Sequence, residues 1–415
     1  MVRYIWIALA LWTAQGAEPA GSPYASRRAE LRKALPNGVV VLFGHAESDH
    51  GDLRSGFYQD PNFYYLTGWN QSGAALVIEP TRDVLFLPAK DVEAEKWTGT
   101  KLSATDQNAS AVTGFQHVMA APALESELLK LLAVYPRLYG LKGTAGAARL
   151  ERLAPLRQVA DAGPEIAKLR MKKSADEIAR LEHATNVSLD AHFAAWKRAA
   201  PGMYEYQIAA TMESLFAERG CERPGYAPIV GSGPNSVVLH YSRNRRRMDS
   251  GELLLMDVAA ECAGYTSDIT RTIPVGGKFS KRQKEIYDIV LGAQKAAIAA
   301  VKPGMTIGKT TPNSIYKIAL DYINGHGKDL HGAPLGKYFT HGIGHHVGLE
   351  VHDASDTTVA LEPGMVITVE PGIYIPEEEL GVRIEDVVLV TETGSKLLSA
   401  RLPRETEEIE KAIAK

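Results

Sequence analysis

The sequence predicts a smaller α/β domain followed by a larger α+β domain. A chain of 415 residues exceeds one ordinary hydrophobic core and suggests two. Up to residue 168, short β-branched runs alternate with helical spacing, the pattern of an α/β unit. From residue 169 onward, long helical patterns are followed by glycine-punctuated antiparallel strands, the pattern of an α+β unit.

The elements follow in order. Met1-Val2-Arg3 carries a positive charge, Tyr4–Trp12 is a short apolar run, and Thr13–Ala17 offers small residues. That three-part pattern reads as a secretory signal peptide, residues 1–16, cleaved after Gly16. The mature chain is therefore expected to be exported, to the periplasm or the extracellular space. The apolar run is too short to span a bilayer, and no later stretch approaches ~20 apolar residues, so no stable membrane insertion is expected. The first domain, residues 22–168, opens with the charged segment Ser22–Asn37, helical over Arg27–Leu35. Val39–Phe43, Ala75–Ile78, Val84–Pro88 and Arg137–Leu141 read as strands, and Leu124–Leu132 has helical spacing. In the second domain, residues 169–415, Lys172–Lys197, Tyr204–Arg219 and Ser280–Val301 read as helices. Pro228–His240, Leu253–Pro274 and Met365–Val390 read as strand segments, and the last ten residues as a solvated helical tail.

Composition narrows the function classes. The chain is 45% hydrophobic and 23% charged, with a net charge of −3. Nothing in that balance calls for nucleic acid or an anionic membrane as partner. Arg243–Arg247 holds four arginines and reads as a solvated loop; Gly231-Ser232-Gly233 has neither the lysine nor the context of a phosphate loop. The two cysteines, Cys221 and Cys262, can form one disulfide or stay buried thiols, and the sequence does not decide.

The chemistry lies in acidic residues placed inside apolar strands. Leu253–Val258 carries Asp257, and a buried carboxylate needs a cation or a proton. If the chain reverses at Cys262-Ala263, the residue directly opposite Asp257 is Asp268, putting two like charges within about 5 Å. A second strand pair, Val366–Glu370 and Val382–Val387, turns between Glu377 and Glu378 and opposes Glu370 to Glu385. Four converging carboxylates repel in a low-dielectric site unless divalent cations neutralise them, and two M²⁺ ions balance the formal charge. The alternative is two separate proton-sharing or arginine-paired sites, with Arg271 and Arg383 nearby.

His341–Asp353 holds four of the twelve histidines. Gly342, Gly344 and Gly348 each cost about 1 kcal/mol in a helix, and no Glu follows His341, so a metalloprotease helix is rejected. An extended strand places His341, His345 and Leu349 on one face, where a histidine completes the carboxylate site, while the glycines let another backbone approach.

His341-Gly-Ile-Gly-His345-His-Val-Gly-Leu-Glu-Val-His352-Asp353 resembles the signature of the aminopeptidase P and proline dipeptidase family. The resemblance extends through Asn235…His240-Tyr241, Asp257, Thr266-Ser-Asp268-Ile-Thr-Arg271-Thr, Thr368-Val-Glu370-Pro-Gly-Ile-Tyr374 and Arg383-Ile-Glu385-Asp386. In the first domain, Arg54-Ser-Gly-Phe57-Tyr-Gln59-Asp60 and Asn62–Gly68 resemble the accompanying N-terminal domain. The resemblance implies a pita-bread catalytic domain with a curved antiparallel sheet. It also implies five metal ligands, Asp257, Asp268, His345, Glu370 and Glu385, with Asp268 and Glu385 bridging two ions. One nitrogen among many oxygen donors makes Mn²⁺ the first choice, with Zn²⁺ or Co²⁺ as substitutes.

By the same resemblance the reaction is hydrolysis of an N-terminal residue from a following proline. Glu370 relays a proton and His240 stabilises the oxyanion. His352 and His341 orient the substrate, and Arg383 and Tyr374 hold the site by outer hydrogen bonds. His346 takes no role and faces away. The partners implied are peptides with proline second, in a homodimer or homotetramer. The alternatives are an Xaa-Pro dipeptidase and, more remotely, a non-catalytic binding module on the same fold.

Overall fold

The computed structural model describes residues 22–46 and 56–414. The expected signal segment 1–16, and Arg54 of the first-domain motif, lie outside the described residues. The chain divides after Leu169 into two compact units.

In the first unit, six strands form one mixed sheet. Their order is His117–Ala120, Asp83–Leu87, Ala75–Ile78, Gly38–Phe43, Arg137–Gly140 and Val159–Asp161. Gly38–Phe43 pairs antiparallel with Ala75–Ile78 and parallel with Arg137–Gly140. Val39, Val41, Val77 and Phe86 form an apolar face of the sheet, and Leu124, Leu128, Leu132 and Leu150 pack on it. The charges of the opening helix, Pro23–Ala34, are not all solvated. Arg28 is buried and donates to Asp83 and to the Leu66 carbonyl.

The second unit contains the same sequence of elements twice. Helices Ala175–Arg198 and Glu205–Glu218 pack together and precede the antiparallel sheet of Thr270–Pro274, Leu253–Asp257 and Ile229–Ser232. Helices Lys281–Ala300 and Ile315–His326 pack together and precede the sheet of Val366–Val369, Asp386–Val390 and Ser395–Leu397. The starts of the long helices are encoded locally. Ser174 with Glu177, and Ser280 with Gln283, form capping boxes that satisfy otherwise orphaned helix N–H groups.

Three expectations need correction. The strand expected over Pro228–His240 lasts only from Ile229 to Ser232, because Gly233–Val237 tightens into a 3₁₀ turn. The C-terminal segment is no solvated tail: Thr406–Ile413 is a helix whose Ile409 and Ile413, one turn apart, are buried in the core. The helix Ile315–His326, capped by Ser314, was not foreseen. The two cysteines are joined as a disulfide, tying the segment after helix Glu205–Glu218 to the tip of the hairpin at Cys262.

Two buried residues fasten the halves together. Arg271 and Asp386 are both fully enclosed, and Arg271 Nη2 donates to Asp386 Oδ1 at 2.6 Å. Asp386 also accepts from Gln294 Nε2 and Ser399 Oγ. Arg271 is thus the partner of Asp386 and of backbone carbonyls, including that of Glu385, and not of the other expected ligand carboxylates.

Candidate metal centre

The first hairpin does not have the register expected of it. Cys262 pairs with Tyr265, so the chain turns at Ala263-Gly264, both at positive φ, as a tight two-residue hairpin turn requires. Asp257 therefore opposes Thr270, not Asp268. The two-residue offset keeps Asp268 on the same face, because side chains alternate with period two. The ladder is broken at Ser267–Ile269. There His192 Nε2 donates to the carbonyls of both Val258 and Ile269. Burial pulls the His192 ring down to about 3, so it is neutral. Across the gap, Tyr226 Oη lies 2.5 Å from Asp257 Oδ1 and 2.6 Å from Asp268 Oδ1. One phenol thus joins the two carboxylates.

The second hairpin has the mirrored register that places Glu370 against Glu385. Val369 pairs with Asp386 on one side and Gly372 with Arg383 on the other, about the turn Pro376–Glu378. Glu370 and Glu385 occupy the break between these ladders. The Glu370 amide donates to the Ile343 carbonyl and the Glu385 amide to the Thr270 carbonyl. Thr270 Oγ1 donates to Glu385 Oε2 at 2.6 Å, and Thr368 Oγ1 to Glu370 Oε1 at 3.2 Å.

The histidine segment is irregular and not a regular strand. Residues 343–347 run beside 366–370, with the amides of Val347 and Ile343's partner Glu370 bonded across and a bridge at His346–Ile367. A side chain at Gly344 would collide with the Thr368 carbonyl, so glycine there permits the approach of the two backbones. Leu349 packs on the core instead of sharing the site. His346 is buried; its carbonyl accepts from the Asp353 amide, and the charges of Lys173 and Asp353 bear on its ring.

The expected residues converge. Ligand atoms of Asp268, His345 and Glu385 lie within 4.8 Å of one another. His345 Nε2 is 3.3 Å from Asp268 Oδ2 and 3.4 Å from Glu370 Oε1. Asp257 joins through Tyr226 and through Arg383, whose Nη2 donates to Asp257 Oδ2 at 2.6 Å. Arg383 Nη1 donates to Tyr374 Oη, which lies 2.9 Å from His341 Nε2. His341 Nδ1 must donate to the Gly342 carbonyl, so Nε2 accepts from the tyrosine. Burial and the Arg383 charge hold His341 down at about 3. The His352 ring lies 4.1 Å from that of His345. His240 and His352 are exposed.

Next to His352, a buried ion cluster anchors the chain: Asp353 pairs with Arg170 and with Lys173. Burial pushes the Asp353 carboxyl up, and those two cations outweigh it, leaving it below the usual range. Sequence reasoning missed this cluster, Tyr226 and His192, because each acts across tens of residues; only Asp353 ends a short motif, and its cations lie about 180 residues away.

The donor set fits divalent cations. Burial and the charge of Asp257 lift Asp268 to about 7. Burial and Asp268 push Glu385 far above the carboxylate range, and burial raises Glu370 against the pull of His345. Burial pulls His345 down, yet its bond to Asp268 and the charge of Glu370 lift it to about 9. Its Nδ1 donates to the His346 carbonyl, so Nε2 faces the two carboxylates and offers a lone pair to a cation once its own proton is displaced. Protons alone satisfy such a cluster poorly; hard cations satisfy every member of it.

Comparison with known proteins gives the same result along nearly the whole chain. Residues 179–392 match the model described as metallopeptidase family M24. Residues 24–139 match that of the aminopeptidase P N-terminal domain. The chain is 34% identical to the Xaa-Pro aminopeptidase of Escherichia coli K12 across 92% of this chain and 95% of that one. It is 35% identical to the Xaa-Pro dipeptidase of Pyrococcus horikoshii across 82% and 91%. The solved structure of Pseudomonas aeruginosa aminopeptidase PepP superposes with a TM-score of 0.86 at 30% identity, covering 95% and 98%.

Proposed function

This chain belongs to metallopeptidase family M24, and from that membership we propose that it is a dimetal aminopeptidase removing an N-terminal residue from a following proline. The observation that carries the reading is the convergence of Asp268, His345 and Glu385, with Glu370 and Asp257 tied to the same cluster.

Asp257, Asp268, His345, Glu370 and Glu385 would hold two divalent ions, for which Mn²⁺ is the first choice on donor hardness. The chemistry such ions supply is polarisation of the scissile carbonyl and a lowered pKa for water. The protein's own groups supply the rest. Glu370, fixed through Oε1 by Thr368, takes the proton from the attacking water and delivers it to the leaving proline nitrogen. His240 donates to the developing oxyanion. His341, neutral and held by Tyr374, and His352, its ring tilted against that of His345, orient the substrate. Arg383 holds Asp257 through Nη2 while it also fixes Tyr374 through Nη1. We extend the proposal to export through residues 1–16 and to a homodimeric or homotetrameric state.

A dipeptidase is the second reading, favoured by the 35% identity to the archaeal enzyme. Full-length protein loaded with Mn²⁺ and offered Arg-Pro-Pro and Gly-Pro separates the two. Faster release of arginine from the tripeptide supports the aminopeptidase, and turnover of Gly-Pro alone supports the dipeptidase. Release from neither, or fewer than one metal ion per chain, sinks both.

A further inference from the structure

Glu205 lies outside every motif discussed so far and is completely buried. Both its carboxylate oxygens are saturated by donors from one loop. Oε1 accepts from the Ser232 amide at 2.7 Å, Ser232 Oγ at 2.8 Å and Asn235 Nδ2 at 3.0 Å. Oε2 accepts from Tyr241 Oη and the Arg246 amide, each at 2.9 Å. The Glu205 amide in turn donates to the Arg246 carbonyl. Glu205 opens the helix Glu205–Glu218, where the aligned peptide dipoles favour negative charge. A buried carboxylate accepting several N–H and O–H bonds is held rigidly in place.

The placement of these bonds gives them a functional meaning. Asn235 and Tyr241 mark the two ends of a seven-residue span, and each is held by a different oxygen of the same carboxylate. Within the span, Ser236 Oγ accepts from the Gly381 amide, two residues before Arg383. Val237, Leu239 and Tyr241 pack on Ile229, Leu255 and Tyr374, and Tyr374 is the partner of His341. Two residues of the span remain: Val238, exposed and tied by its amide to the Asn235 carbonyl, and His240, which is exposed. Its charge bears on both His341 and His352. The contacts of the span thus engage residues on both sides of His240.

We infer that Glu205 is the positioning residue for His240, clasping both ends of the span that presents this ring to the reacting carbonyl. The inference rests on the aminopeptidase reading for His240's role in the reaction, and on the geometry alone for the clasp. A group that acts mainly on the transition state affects kcat more than KM. In Glu205→Gln the amide nitrogen cannot accept, so either Ser232 and Asn235 or Tyr241 and Arg246 lose their acceptor, and the anchor at one end of the span is weakened while side-chain shape is kept.

The test uses full-length, Mn²⁺-loaded protein and two independent readouts. Hydrogen exchange without substrate reads the clasp: Glu205→Gln should speed exchange of amides 236–241 by about tenfold or more, and Tyr241→Phe, a milder change, by less. Unchanged exchange in both variants overturns the clasp, whatever the peptide assay gives. Turnover of Arg-Pro-Pro reads the positioning. His240→Ala should lower kcat by roughly 10²-fold, Glu205→Gln by about tenfold, each with KM and metal content near the wild type. The double variant should be no slower than His240→Ala alone, since the glutamate acts through the histidine. Multiplicative losses, or a Glu205→Gln defect that follows metal content, overturn the assignment. A wild-type protein that is inactive on proline peptides but shows the exchange effect refutes the function proposed for the site and leaves the clasp established.

Discussion

The two carboxylate-bearing hairpins of the catalytic unit reach one end by different means. In the second, Glu370 and Glu385 face each other in a mirrored register, and each carboxylate is held by a threonine hydroxyl. In the first, Asp257 and Asp268 are offset by two positions, the strand opens between Ser267 and Ile269, and one phenol spans the gap. Both ladders break at their acids, but the first draws Tyr226, His192 and Arg383 from distant segments, whereas the second takes Thr368 from its own strand and Thr270 from the first hairpin. The first half should therefore depend on more long-range side-chain contacts than the second.

The largest effect expected touches both halves equally. Asp268→Ala and Glu385→Ala should each lower turnover by roughly 10³-fold or more, since each removes charge directly from the reacting centre. Circular dichroism and the melting curve of the metal-loaded protein should stay close to wild type. Retained turnover in either variant would break the equivalence of the two hairpins as halves of one site.

A second prediction concerns the fastening between halves. Arg271 and Asp386 are fully enclosed, so Asp386→Asn leaves a guanidinium without its counter-charge and should cost about 3–5 kcal/mol of stability. Denaturant unfolding measures this directly. A loss under about 1 kcal/mol would mean that the pair behaves as a surface contact and that the halves are held by apolar packing alone.

How far the sequence foretold these features depends on the turn in each hairpin. Reflection through Glu377 and Glu378 worked because the turn at Pro376–Glu378 is compact and the ladder keeps one register on both sides of the break. Reflection through Cys262-Ala263 missed by two residues because the turn lies at Ala263-Gly264. The face survived that error because strands alternate with period two. The glycines marked the His341–Asp353 segment as a close backbone approach, and Gly344 does meet the Thr368 carbonyl, but His345 as the ligand came only from the family resemblance. Ile409 and Ile413 carried a visible one-turn spacing that marks a buried face, although the C-terminal segment was read as solvated. Tyr226 and Glu205 carried no comparable signal: a tyrosine 31 and 42 residues from its partners and a glutamate at a helix start look ordinary until the fold closes around them.

The comparison of hairpins is sharpened most by the two hydroxyl groups that serve them. Tyr226→Phe removes the only hydrogen bond described that joins Asp257 and Asp268 directly, and should weaken metal binding or turnover by about 10–100-fold. Thr368→Val keeps the shape of the side chain and removes the bond to Glu370. It also leaves the His345 amide without its hydroxyl acceptor. The Glu370 and His345 backbones remain bonded across the same pair of segments, through the Ile343 and His345 carbonyls. That redundancy limits the loss to about 1 kcal/mol, roughly fivefold in kcat by the same free energy. Metal titration and steady-state turnover of the two variants, measured side by side, test the ordering. A Thr368→Val defect as large as that of Tyr226→Phe would show that a regular register does not by itself aim the acids, and that both hairpins depend on their hydroxyl partners to the same degree.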